Sequence, residues 1–165
     1  MKKILSCSLL SAAILTFTSA HAVTRNINVT ATIDPTVDIT LADGTALPDT
    51  IAMQYLPNSG LTTVSKDVKL WSNSTTNNLT IALARSPELS APTADTTIPL
   101  SVTLNGTALS TAASTLPYNT YFPNGITNGS ITIPLAISQA TKGAVATAGD
   151  YSGTVSLVLA QATSS

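Results

Sequence analysis

The sequence predicts an all-β fold, an antiparallel sandwich in which each sheet buries one face. Three observations carry that expectation. Apolar and polar residues alternate with a period of two in run after run, as half-buried strands require. Turn residues punctuate the runs where tight reversals need positive φ. No window after residue 22 sustains an apolar stripe at helical spacing.

Residues 1–22 stand apart from these runs. Met1-Lys2-Lys3 is a short positive start, followed by an apolar stretch from Ile4 to about Phe17. Ala20-His21-Ala22 fits the small-residue rule for signal-peptidase cleavage between Ala22 and Val23. The apolar stretch is shorter than the ~20 residues a membrane helix needs. A removed secretory signal is therefore expected. Cys7 and His21, the sole cysteine and histidine, leave with it. Removing 22 of 165 residues leaves a mature chain of 143, Val23 to Ser165. Without Lys2 and Lys3 it has five cations against eight acids, a net charge of −3.

The first mature run alternates from Val23 to Ile33. Val23, Ile27, Val29, Ala31 and Ile33 share one parity, with Asn26, Asn28, Thr30 and Thr32 between them. Shorter candidates follow at Val37–Leu41, Ile51–Leu56, Leu61–Trp71 and Leu79–Ala84. Ile98–Leu104 and Ile131–Ile137 alternate again around Pro99 and Pro134, and each proline needs an edge or a bulge because it lacks an amide hydrogen. Tyr151, Gly153, Val155, Leu157 and Leu159 form the last run. Turns are expected at Asp43-Gly44, Pro57–Gly60, Pro123–Gly125, Asn128-Gly129 and Gly149-Asp150. Asn105-Gly106 is the best short hairpin. Ser86–Asp95 reads as a loop, and Ala108–Pro117 as a loop or irregular edge.

Composition narrows the function. The chain is 44% hydrophobic and only 9% charged. Seven scattered cations cannot supply the dense positive field that displaces counterions from phosphate, so nucleic acid is not an expected partner. The mature chain lacks the His or Cys that nucleophilic triads and ordinary zinc sites use. No glycine-rich phosphate loop occurs. Asp34, Asp38, Asp43 and Asp49 lie beside proline or glycine or on polar strand parity, and read as turn-forming and solubilising groups. No catalytic, cofactor or metal residue is expected, and the chain is not expected to be an enzyme. Five Asn-x-Ser/Thr triplets are explained by the abundance of Ser and Thr. Trp71 fits half-buried packing at a strand end better than sugar stacking.

The run Val23–Ile33 admits two readings. It is an ordinary first strand of its own sandwich, or it is donated to a neighbouring copy by strand addition. Free termini usually fray unless tied down, which favours a groove in which it lies.

The mature chain resembles the major pilins of the colonisation-factor-antigen-I type, with the cable pilins, assembled by the alternate chaperone–usher pathway. Three stretches carry the likeness: Val23-Thr24-Arg25-Asn26-Ile27-Asn28-Val29-Thr30-Ala31-Thr32-Ile33-Asp34-Pro35 running on to Leu41–Pro48; Ile98–Val102 with Ala108–Thr111; and Thr147–Leu159. Residues 61–85 match more loosely and 112–130 hardly at all. The resemblance implies an incomplete immunoglobulin-like β-sandwich completed by donor-strand exchange. It implies a signal peptide at 1–22, a donor strand at 23–34 and a sandwich domain at 35–165. Val23, Ile27, Val29, Ala31 and Ile33 would be the donor face. Tyr151, Gly153, Val155, Leu157 and Leu159 would pair first with a periplasmic chaperone and then line the acceptor groove. The implied partners are copies of itself in a helical homopolymer, the chaperone, an outer-membrane usher and a separate tip adhesin. The implied location is the cell surface, reached through the periplasm, where the fimbria mediates adhesion. The competing readings are a receptor-binding adhesin domain and, further off, a secreted carbohydrate-active β-sandwich.

If the donor reading holds, its inward face carries the interface. Four Val or Ile side chains plus Ala31 contribute on the order of 6–13 kcal/mol on burial, an upper bound before ordering entropy. Val29→Asp or Ile33→Asp should abolish fibres in an assembly assay by burying an unpaired charge. Asn28→Asp or Thr30→Asp, on the opposite parity, should be tolerated; equal damage from both sets would refute a one-faced strand.

Overall fold

A computed structural model describes residues 37–92 and 94–162. The expected signal peptide, its cleavage point at Ala22 and Val23, and the donor-face residues Val23 to Ile33 lie outside them.

The described chain runs through eleven strands and one short helix. They are β1 (Val37–Leu41), β2 (Tyr55–Leu56), β3 (Gly60–Leu61), β4 (Val64–Ser72), β5 (Leu79–Leu83) and β6 (Glu88–Ala91). Then come β7 (Ala94–Leu104), β8 (Thr107–Ala108), β9 (Ser114–Leu116), α1 (Tyr118–Tyr121), β10 (Ile133–Gln139) and β11 (Leu157–Gln161). One sheet has the order β1-β4-β10-β7-β6, with β8 also on β7. A second has the order β11-β5-β9, and β2 and β3 form a small ribbon. Every ladder is antiparallel. The sheets bury their facing sides against each other, which is the immunoglobulin-like sandwich.

Alternation sets which side chains meet between the sheets. Val68 and Leu70 of β4, Val102 and Leu104 of β7, and Ile133 and Leu135 of β10 line the larger sheet's inner face. Leu79, Ile81 and Leu83 of β5 and Leu116 of β9 oppose them. Phe122, stacked on Tyr118 at 5.5 Å between ring centroids, closes one side of this core. The expected hairpin at Asn105-Gly106 is present, joining β7 to β8 with Leu104 opposite Thr107. Its two central residues have φ of +50° and +77°, the mirror-image turn that matches strand twist.

Several expectations need correction. Pro99 and Pro134 lie in β7 and β10, which are interior strands rather than edges. Each sits where one ladder stops. Pro99 O accepts from Ala140 N just beyond the end of β10, and Pro134 O accepts from Asn105 N in the turn after β7. The missing amide hydrogens therefore fall at ladder ends, where no regular bond is lost. Ser86–Asp95 is not a loop, because Glu88–Ala91 pairs with β7 and carries a bulge between Ser90 and Ala91. Of the run Ile51–Leu56 only Tyr55–Leu56 is strand, and β10 begins at Ile133 rather than Ile131. Trp71 is half-buried in β4, its Nε1 donating to Thr40 Oγ1 at 2.8 Å.

The last run is divided between the two sheets. Ser152 bridges to Ser90 of β6, in the larger sheet, with reciprocal bonds of 2.8 and 2.9 Å. Five residues later Leu157 pairs with Leu83 of β5, in the smaller sheet. The crossing starts at Gly153, which passes against β6 so closely that a Cβ there would lie 2.0 Å from Glu88 O. That atom is backbone and cannot turn aside. Gly153→Ala should thus destabilise the fold by about 1–3 kcal/mol, as overpacking does, read as a lower midpoint in chemical denaturation. An unchanged midpoint would mean the crossing is looser than described.

Candidate assembly groove

The groove arises where β1 stops. After Leu41 the chain turns at Asp43-Gly44-Thr45, closed by Leu41 N to Thr45 O at 2.8 Å. Asp43 Oδ1 accepts from Thr45 N at 2.9 Å and from Thr45 Oγ1 at 2.6 Å, and these bonds hold the Asp43 carboxyl below the ordinary aspartate range. The support from this depressed pKa is present above the usual aspartate range and is lost on acidification through the lowered value. Ala42 N bonds Asp67 O, and the next bond of this kind, Thr62 N to Gln54 O, comes only beyond the start of β4. Between them the chain from Leu47 to Met53 stands off as an irregular wall.

Burial records what is missing. On β4 the inner-face residues Val68 and Leu70, in the stretch that β1 flanks within the sheet, are 0% exposed. Val64 and Lys66 share their parity but lie past the end of β1; Val64 is half-buried and Lys66 exposed. β11 shows the same contrast sideways. Leu157 and Leu159 are only half-buried, whereas their cross-strand partners Leu83 and Ile81 are 4% and 1% exposed. The gap on β4 and the Leu157 end of the gap on β11 face one space. Its walls are Leu47, Ile51 and Met53 on one side and Gly153, Thr154, Val155 and Leu157 on the other. Val64, Lys66, Leu100, Val102, Leu135 and Ile137 form the floor. This part holds about 240 Å³ and shares Asp49, Ile51, Met53, Leu89 and Gly153 with a wider adjoining space of about 900 Å³.

Among the described residues, no strand pairs with the side of β11 away from β5 at Leu157 and Leu159. Ala84 N donates to Ser156 O and Ala162 N to Asn78 O, so even-numbered backbone groups face β5. Alternation turns those of Leu157 and Leu159 the other way. β1 approaches β11, yet no ladder joins the two among the described residues. An apolar trough beside an unpaired strand edge is suited to receive an extended apolar segment.

The expected acceptor residues divide along this trough. Gly153, Val155 and Leu157 line it. Tyr151 lines the wider part, its hydroxyl donating to Thr147 O at 3.0 Å and lying 3.1 Å from Thr96 Oγ1. Leu159 packs farther along β11 against the core. Sequence reasoning missed the wall from Leu47 to Met53 and the open end of β4. The available signal was a stretch holding Leu47, Ile51 and Met53 without a regular period. Chemistry is sparse: no group of His, Cys, Asp or Glu among the described residues could hold a metal ion.

Comparison with known proteins follows the same line. Residues 23–160 match the family model of the CS1 type fimbrial major subunit, starting at the residue expected to begin the mature chain. The chain is 36% identical over 148 residues to a CFA/I fimbrial subunit of Escherichia coli O78:H11, covering 86% of each. It is 37% identical over 155 residues to a CS1 fimbrial subunit of Escherichia coli, covering 87% of this chain and 88% of that one. Among solved structures it is similar to the CooA pilin subunit from enterotoxigenic Escherichia coli, with a TM-score of 0.67 and 29% identity. That match covers 79% of this chain and 90% of the pilin.

An open apolar trough should bind an apolar fluorescent probe such as anilinonaphthalene sulfonate. Val155→Asp, on the groove wall, should reduce the probe's fluorescence severalfold. Val158→Asp should leave it unchanged, because Val158 is 50% exposed on the outer face of β11. Equal responses would place the probe elsewhere.

Proposed function

The chain belongs to the CS1-type family of fimbrial major subunits, and on that premise we propose that it polymerises by donor-strand exchange, residues 23–33 of one copy filling the groove of the next. It is an exported structural subunit of a surface fimbria. In the proposed chain organisation, residues 1–22 are the signal, 23–34 the donor and 35–165 the sandwich. The observation that carries this reading is the pair of matched gaps. Inner-face residues become less buried where β1 ends beside β4 and again at Leu157 of β11, and both places border one apolar groove.

The donor fits that vacancy chemically. Val23, Ile27, Val29, Ala31 and Ile33 offer an apolar face to an apolar floor. The donor's backbone meets the open edge at Leu157 and Leu159. Arg25 shares the inward parity and extends its guanidinium toward the groove's mouth. Before exchange the same edge needs another strand, which is the role proposed for a periplasmic chaperone, with an outer-membrane usher bringing successive copies together. A separate protein at the fibre tip would carry receptor binding. The chain's role is mechanical, and we assign it no enzymatic activity.

Deleting residues 23–33 should leave a chain that folds and binds the chaperone but does not enter fibres. Surface fibres counted by electron microscopy, alongside periplasmic protein measured by immunoblot, read both outcomes. Intact fibres from the deletion variant would end the donor-strand reading.

A further inference from the structure

We infer that Lys66 sets the register of the incoming strand by pairing with Asp34 of a second copy; the inference rests on the donor-strand reading. Lys66 occupies an inner-face position of β4, in register with Leu135. Its neighbours of the same parity are Val64, half-buried, and Val68, fully buried. A lysine is out of place in that row unless the row's end stays wet or receives an anion. Now it is exposed, because the groove above it is open.

Filling the groove with an apolar strand removes water from around that ammonium. An unpaired cation there is costly, whereas a paired one is tolerated. The segment 23–34 contains a single carboxylate, Asp34, directly after the last inward residue Ile33. Direction decides which end of the donor reaches Lys66. Every described ladder is antiparallel. A donor continuing that pattern beside β11 ends near Gly153 and Val155, the stretch that borders the groove with Lys66. Asp34 then arrives at Lys66, and Arg25 lies at the opposite end. Aliphatic side chains alone leave a strand free to slip by two residues, since parity is preserved. A single charge pair at the end of the apolar run makes one register better than its neighbours, as a lone polar residue does in a coiled coil.

The test is a charge swap in cells that express the full-length chain with its assembly machinery. Fibre protein sheared from the surface is measured relative to chaperone-bound protein in the periplasm. Lys66→Glu and Asp34→Lys should each lower that ratio by about tenfold. The double variant should recover to within about threefold of the parent, and Lys66→Met, which keeps most of the stem without charge, should lose less than about threefold. The inference is overturned if Lys66→Glu assembles normally, or if the double variant is no better than either single one. It is equally overturned if Lys66→Met fails as badly as Lys66→Glu, or if no charge variant accumulates in the periplasm, because shape or folding would then explain the residue. Loss of fibres on deleting residues 23–33, together with a failed swap, removes the pairing alone. Fibres that survive the deletion remove the donor reading itself.

Discussion

A sheet can bury an apolar face only where something lies over it, and this sandwich is one cover short. The shortage is localised. Val68 and Leu70 are sealed where β1 flanks β4, while Val64, four residues past the last paired position, is only half-buried. Leu83 and Ile81 are sealed in mid-sheet, while their partners Leu157 and Leu159 are half open on the edge. Hydrophobic burial is proportional to area and indifferent to what supplies it. Any extended apolar segment of matching period would therefore complete the core, and a second copy of the chain offers one.

The open seam depends on how the ends of the described fold are anchored. The Asp43-Thr45 turn takes the chain off β4 and turns it into a groove wall. Opposite it, the C-terminal segment begins on β6 at Ser152 and finishes on β5. Gly153 makes the departure feasible because it has no side chain to meet Glu88 O. The segment between the two attachments borders the narrow part of the trough.

Low charge has a structural counterpart. Asp49 and Lys66 are the charged residues bordering the narrow part of the groove. A groove this apolar would hold an occupant through buried area, with little orientation from electrostatics. Where few charges exist, each one present at a buried boundary has a disproportionate effect on which arrangement is preferred. The family's structural role fits a surface otherwise given to Thr, Ser and Asn on exposed strand faces.

Much was legible in the residues alone. Val37–Leu41 and the hairpin at Asn105-Gly106 form where alternation and turn chemistry place them, and the inner parity of β4, β5, β7 and β10 follows from period two. Family membership was also readable, because the stretches around Ile98–Val102 and Thr147–Leu159 carry it in sequence. Tertiary structure decided the remainder. β6 has prolines on both sides and only two apolar residues, and it is a strand because the long β7 offers it an edge. Pro99 and Pro134 enter interior strands because neighbouring ladders happen to end beside them. The split of the final run and the wall from Leu47 to Met53 are likewise invisible locally. Alternation tells a side chain which face of its strand it occupies; what covers that face depends on segments tens of residues away, and only the folded chain brings them together.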